Sequence, residues 1–374
     1  MKLRVTETLS TVDATAWNAL AGDNPFLQHA FLHALHESDC ASADTGWQPQ
    51  YLLIEDQDQL VAAMPLYLKT HSYGEYVFDW SWADAYQRHG LAYYPKLLSA
   101  VPFTPVVGPR LLANTPALKQ QLLDGAIALA VRNSVSSLHI LFPTRSDLDC
   151  MRERGLLVRQ GCQFHWRNAN YLNFEDFLFK LSHDKRKKIR QERRKVQSAG
   201  ITFQWLEGAQ ITAPDWAFFV QCYQQTYYEH RSSPYLNLDF FERYGAQSPH
   251  NIVLICAIRD GRRIAASLLI RNQHRLYGRH WGALEHIPML HFETCYYQSI
   301  EYAIAHRLSI FEGGAQGEHK MARGLLPVTT QSAHWLAHPE FSSAIAKYLD
   351  RETTLMSEHE IELAARNPFK QETP

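Results

Sequence analysis

The sequence predicts an α+β (mixed α/β) fold built as two tandem halves, residues 1–170 and 171–374. Three observations lead there. Helical and extended stretches follow one another in the same order in both halves. Each half closes on an extended run ending in the same dipeptide, His165-Trp166 and His334-Trp335. Turn signals such as Asp260-Gly261 join neighbouring runs as hairpins, which makes the sheets mostly antiparallel. A chain of 374 residues, 46% apolar and 20% charged, is long for one core and comfortable for two.

In the first half, Asn24-Pro25 reads as an N-cap and N1 proline ahead of Phe26, Leu27, Ala30, Phe31 and Leu35 at helical spacing. Runs at 51–54 and 60–68 flank a polar turn and predict a hairpin. A helix is expected over 116–132, then a strand at 138–142, another helix, and the strand ending at Trp166. The second half repeats this with a helix at 214–229, strands at 252–258, 264–270 and 275–281, a helix at 291–306, a strand at 309–312 and the run ending at Trp335. The join falls near 168–180.

The net charge of −1 argues against a general nucleic-acid coat. No stretch reaches the roughly 20 apolar residues of a membrane-spanning helix, and Met1–Glu7 carries no apolar h-region. The six cysteines form no C-x-x-C pair, so free thiols and a cytoplasmic setting are expected, with the membrane at most a peripheral partner.

Against that neutral background, Lys185–Lys195 places eight basic residues in eleven positions. Ser182 and Gly200 suit the two ends of a helix, and Ile189 and Val196, seven apart, give it one narrow apolar seam. Either water or an anion faces the rest. Lys187, Arg190, Arg193 and Arg194 are the candidate anion-binding residues.

Chemistry is densest between Tyr277 and His334. The stretch Glu312-Gly313-Gly314-Ala315-Gln316-Gly317-Glu318-His319-Lys320-Met321-Ala322-Arg323-Gly324 follows a strand and has the make-up of a substrate-lining loop. Glu312, Glu318 and His319 are candidate general bases for an amine that must lose a proton as it attacks a carbonyl. Lys320 and Arg323 can pair with a carboxylate or phosphate. Backbone N–H groups near Leu290 and His291, at a helix start, could hold a phosphate. His286, His291, Glu293, Cys295 and His319 match no zinc spacing, so no metal is expected. Cys295 reads as a buried thiol or, less simply, a nucleophile. In the first half, Asp79, Trp80, Asp84 and Tyr86 lie in an aromatic stretch suited either to a groove floor for a planar or sugar-like group or to core packing.

The tandem halves, the basic helix and the run Phe311-Glu312-Gly313-Gly314…Lys320…Arg323-Gly324 resemble the Fem-type branch of the GNAT acyltransferase superfamily. The whole chain is similar to the bacterial FemAB-like group, on Ser72–Tyr86, Tyr94–Leu112, Tyr277–Tyr297 and Phe311–Trp335. The resemblance implies two tandem GNAT-like domains, with the active site and the basic helix in the second. It implies an N-acyltransferase moving an acyl or aminoacyl group to an amine, on a cell-wall precursor or small metabolite, by direct attack. The donor would be acyl-CoA or aminoacyl-tRNA, a co-substrate and not a resident cofactor. In GNAT relatives a Q/R-x-x-G-x-G/A loop binds the coenzyme diphosphate. Arg279 and Gly282 match that loop, and Leu284 departs from it. Fem-type relatives use aminoacyl-tRNA, which would suit the cationic helix. The competing expectation is a non-catalytic anion-binding module for RNA or an anionic cell-wall precursor.

Overall fold

The computed structural model describes residues 1–314 and 317–370 and has a mixed α/β fold. The chain divides into two compact units, Met1–Gly161 with Thr329–His359, and Cys162–Val328 with Glu360–Pro374. These are not the continuous halves 1–170 and 171–374, because the end of each half's closing strand belongs to the other unit. The end of Leu157–Arg167 pairs within the second unit, His165 opposite Glu312 and Trp166 opposite Phe311. The end of Leu326–Leu336 pairs within the first, His334 opposite His139 and Ser332 opposite Leu141.

In the first unit, Tyr51–Asp56 and Gln59–Met64 form the expected hairpin, flanked by Lys2–Thr6 and Leu112–Ala113. The expected run at 60–68 breaks at Pro65, which has no N–H for the ladder. Beyond it Tyr67–Lys69 joins a separate ladder with Trp47–Pro49 and Lys96–Ser99. Lys96–Ser99 lies parallel to Ser137–Leu141. Helix Pro116–Arg132 connects that parallel pair, capped by Thr115, whose Oγ1 accepts the Leu118 amide. Its buried face, Leu122, Leu123, Ala126, Leu129 and Ala130, follows helical spacing and packs with Leu97, Leu138 and Ile140. Each fully buried leucine contributes about 2 kcal/mol. The helix expected from Asn24 starts at His29 instead. Asn24 Oδ1 accepts the Phe26 amide at 3.1 Å, closing a local turn before the helix begins.

The second unit orders its strands Ile201–Glu207, Ile252–Arg259, Arg262–Arg271, Arg275–Ala283, Ile310–Glu312 and the end of Leu157–Arg167. Asp260 and Gly261 have φ of 50° and 74°, the left-handed pair that a two-residue hairpin of this twist requires. Arg275–Ala283 and Ile310–Glu312 are parallel, joined by the helical segment 290–305. A parallel pair bridged by a helix therefore occurs in each unit. The segment 290–305 carries a π-helical turn over Glu293–Tyr297, an irregularity frequent at functional sites. The basic run forms His183–Ser198, with Ile189, Val196 and also Glu192 buried. Among the described residues no helix is long and apolar enough to cross a membrane.

Candidate functional site

In open sheets ligands bind beyond the carboxyl ends of parallel strands. In the second unit Tyr277 opposite Glu312 is the last parallel pair. From there Arg275–Ala283 runs on to Ala283, whereas Ile310–Glu312 gives way to Gly313 and Gly314. A Cβ on Gly314 would lie 3.7 Å from the Gly278 carbonyl oxygen, so the two backbones are still close where the strands part. Lys320 Nζ donates to the Gly314 carbonyl at 3.0 Å.

Around this point the 3₁₀ turn Glu318–Arg323 meets the 290–305 segment. His319 Nε2 is 3.2 Å from the Tyr296 hydroxyl. His291 packs between Trp281 and Tyr296, with ring centres 4.9 and 5.5 Å away. Arg323 lies 3.5 Å over the Phe292 ring, donates through Nη1 to the His319 carbonyl at 2.8 Å, and through Nη2 to both Glu192 oxygens at 3.1 and 3.0 Å.

Burial, then Arg323 and Lys320, hold His319 below the usual histidine range, so it stands neutral and able to accept a proton. Burial and the neighbouring His319 push His291 down to about 4. Burial lowers Lys320 to about 8, which leaves it charged at neutral pH yet able to release its proton readily. Burial pushes the Cys295 thiol up to about 12, which disfavours the thiolate at neutral pH. His319, Lys320, Arg323 and His291, all singled out from sequence, are thus brought together, and Tyr296 and Glu192 join them unforeseen.

Other candidates stand elsewhere. Glu318 is exposed and paired with Arg366 at 2.7 Å. Glu312 is buried, bonded to Arg275 at 2.8 Å, with His165 at 3.8 Å; burial raises its carboxyl, and Arg275 donates to it. Arg279 and Gly282 lie within strand Arg275–Ala283 and not in a loop, Gly282 opposite Ala266 and Arg279 at a register shift between Gly278 and His280. A Cβ on Gly282 would fall within 1.8 Å of the Cys222 carbonyl oxygen, so glycine is required there by the packing of helix Ala213–Glu229. The Leu290 amide is bonded to the Ile287 carbonyl at 3.2 Å and is not available to a phosphate. Ala315 and Gln316 of the glycine-rich stretch lie outside the described residues.

In the first unit the aromatic stretch does not form one groove floor. Asp79 is buried, accepting from Lys96 Nζ and the Tyr93 hydroxyl, each at 2.5 Å. Burial raises its carboxyl, but Lys96 and His139 outweigh that and hold it below the usual range. Tyr86 is buried against Phe341, with ring centres 4.1 Å apart, and its hydroxyl has no hydrogen-bond partner among the described residues. Trp80 and Asp84 are on the outside.

On the basic helix, Arg190 pairs with Glu175 at 2.5 Å. Arg193 pairs with Glu293 and Glu301 at 3.0 and 2.7 Å. Lys187, Lys188, Arg194 and Lys195 are exposed and without a carboxylate partner among the described residues. A cleft of about 600 Å³ is lined by Arg190, Arg193, Arg194, Phe174, Leu178 and Glu301, among others. Among the described residues no three His, Cys, Asp or Glu side chains converge to hold a metal ion.

In sequence, no curated protein matches the chain. Among solved structures it is similar to FemX, at 10% identity and TM-score 0.56, over 92% of this chain and 100% of that one. It is also similar to L-PGS from Bacillus licheniformis, at 9% identity and TM-score 0.58, over 92% of this chain and 98% of that one. At such identities the likeness is one of fold. Residues 8–371 match the FemAB-like family model, described as peptidoglycan biosynthesis/recognition, and the chain belongs to the FemAB-like family.

Proposed function

We propose that the protein is an N-acyltransferase that moves an acyl or aminoacyl group from an activated donor to an amine. The observation that carries this reading is geometric: His319 is bonded to Tyr296 and adjoins Lys320, whose ammonium bonds the Gly314 carbonyl where the parallel strands part. In the reaction the amine nitrogen attacks the acyl carbon, and its proton passes to the imidazole of His319. Lys320 and Arg323 favour the negative oxygen that develops on the acyl group. Collapse releases the leaving thiol or hydroxyl, which takes a proton from Lys320 or from protonated His319. Membership of the FemAB-like family supports the transferase class.

For the donor, the reading favours aminoacyl-tRNA over acyl-CoA. Two of the groups assigned to a coenzyme diphosphate are engaged elsewhere: Gly282 in strand packing and the Leu290 amide with Ile287. Lys187, Lys188, Arg194 and Lys195 offer a cationic face to a polyphosphate chain. The same face supports a second reading, a binding module without catalysis. A thermal-shift series with acyl-CoA, coenzyme A, uncharged tRNA and aminoacyl-tRNA separates the donors, since a ligand of the native state raises the melting point. Stabilisation by tRNA alone is expected, and stabilisation by acyl-CoA alone would sink the tRNA version. Product formation on adding an amine acceptor separates the enzyme from the module.

A further inference from the structure

The basic run contains a single acid, and that acid faces inward. Glu192 has 6% of its surface exposed, and its carboxylate accepts from Arg323 Nη2 through both oxygens and from the Tyr297 hydroxyl. The next residue, Arg193, donates to Glu293, where the π-helical turn begins, and to Glu301 one helical stretch further on. Two successive residues of one helix therefore hold the two segments that carry the candidate site, the turn Glu318–Arg323 and the turn Glu293–Tyr297.

Arg323 is the link between this grip and His319. Its guanidinium holds the carbonyl of His319 itself, and it lies against Phe292, whose ring centre is 5.9 Å from that of His319. Among the described residues its Nε is buried without a hydrogen-bond partner, and Glu192 and the His319 carbonyl are the groups its guanidinium bonds. A planar fork bridging a carboxylate and a carbonyl fixes direction as well as charge. Removing one partner of such a buried pair leaves the other charge uncompensated and free to move.

We infer that Glu192 is a positioning residue of the site: it fixes Arg323, and through Arg323 the place of His319. The inference rests on the reading of His319 as the proton acceptor. It gives the basic helix two faces with separate tasks, an outer one of exposed cations and an inner one that holds the catalytic turn.

The test is an NMR titration of His319 in the full chain, for wild type, Glu192→Gln, Arg323→Gln, the double variant and Glu192→Asp. A released Arg323 no longer depresses His319. In Glu192→Gln its midpoint should rise by about half a pH unit or more. Arg323→Gln should shift it the same way, the double variant should add nothing further, and Glu192→Asp, which keeps the charge, should stay near wild type. If Glu192→Gln does not fold, Arg323→Lys supplies the readout, because it keeps the charge without the fork and should also shift the midpoint. An unmoved His319 in the folded variant, or fully additive shifts, overturns the inference. The titration needs no substrate, so it stands or falls apart from the transferase reading. Loss of transfer in His319→Gln with an unmoved midpoint in Glu192→Gln would keep that reading and remove Glu192 from it.

Discussion

His139 and His334 meet through their Nδ1 atoms at 2.6 Å inside the first unit. One of these nitrogens must donate and the other accept, so the pair cannot carry a proton on both. Their Nε2 atoms are bonded to Ser137 and Ser332, each at 2.8 Å, hydroxyls that can turn to serve either tautomer. Burial, then Lys96, takes His139 down to about 3, and burial, then His139, takes His334 well below the usual range.

The sign of the resulting pH dependence follows from proton uptake. Below about pH 6.5 the unfolded chain protonates both histidines while the folded chain does not. Stability present at neutral pH is therefore lost as pH falls from there toward about 3 for His139. Each such histidine contributes about 1.4 kcal/mol per pH unit over that window. Melting temperatures between about pH 7 and about pH 5 should fall, and His139→Gln should flatten the slope. An unchanged slope would count against a neutral buried pair.

Lys96 is fully buried and bonded to Ser72, Glu75 and Asp79. Lys96→Met leaves two buried carboxylates without their cation and should cost about 3–5 kcal/mol in urea unfolding. Asp79→Asn should likewise lower stability while leaving KM unchanged in a folded preparation. A raised KM with wild-type stability would restore Asp79 as a substrate contact.

Gly282→Ala puts a methyl group against the Cys222 carbonyl oxygen, backbone against backbone. Neither side can yield cheaply, and a loss of about 3 kcal/mol or more is expected in chemical denaturation. Wild-type stability with weakened acyl-CoA binding would instead support a phosphate-approach role.

Charge reversal at Lys187 and Arg194 should weaken tRNA binding and lower its salt dependence, with the melting temperature held within about 2 °C. Reversal at Arg193 should also lower stability, because its partners Glu293 and Glu301 would then face a like charge. Equal affinity before and after reversal at Lys187 and Arg194 would mean that water alone faces that surface.

Much of this fold was legible because its local signals agree with its tertiary context. Helix Pro116–Arg132 and the Asp260-Gly261 turn stand where caps and turn chemistry put them. The exchange of closing strands was not legible. His165-Trp166 and His334-Trp335 mark the strand ends, but pairing partners far along the chain leave no mark in local pattern. The site was read in part for the same reason. His319, Lys320 and Arg323 lie in one short glycine-rich stretch, whereas Tyr296 is reached only across the fold. Glu192 carried a faint signal, as the lone acid three residues after Ile189 and four before Val196, on the seam that faces inward.

The central claim is that His319 accepts the proton of the attacking amine. Its most direct test is the pH dependence of kcat/KM for amine acylation in wild type and His319→Gln, with equal melting temperatures. Wild type should show an acid limb centred below about pH 6.5 and a decline above about pH 8 as Lys320 loses its proton. His319→Gln should lose about 10²-fold or more in rate together with the acid limb. A variant that keeps the wild-type rate and both limbs would contradict the account.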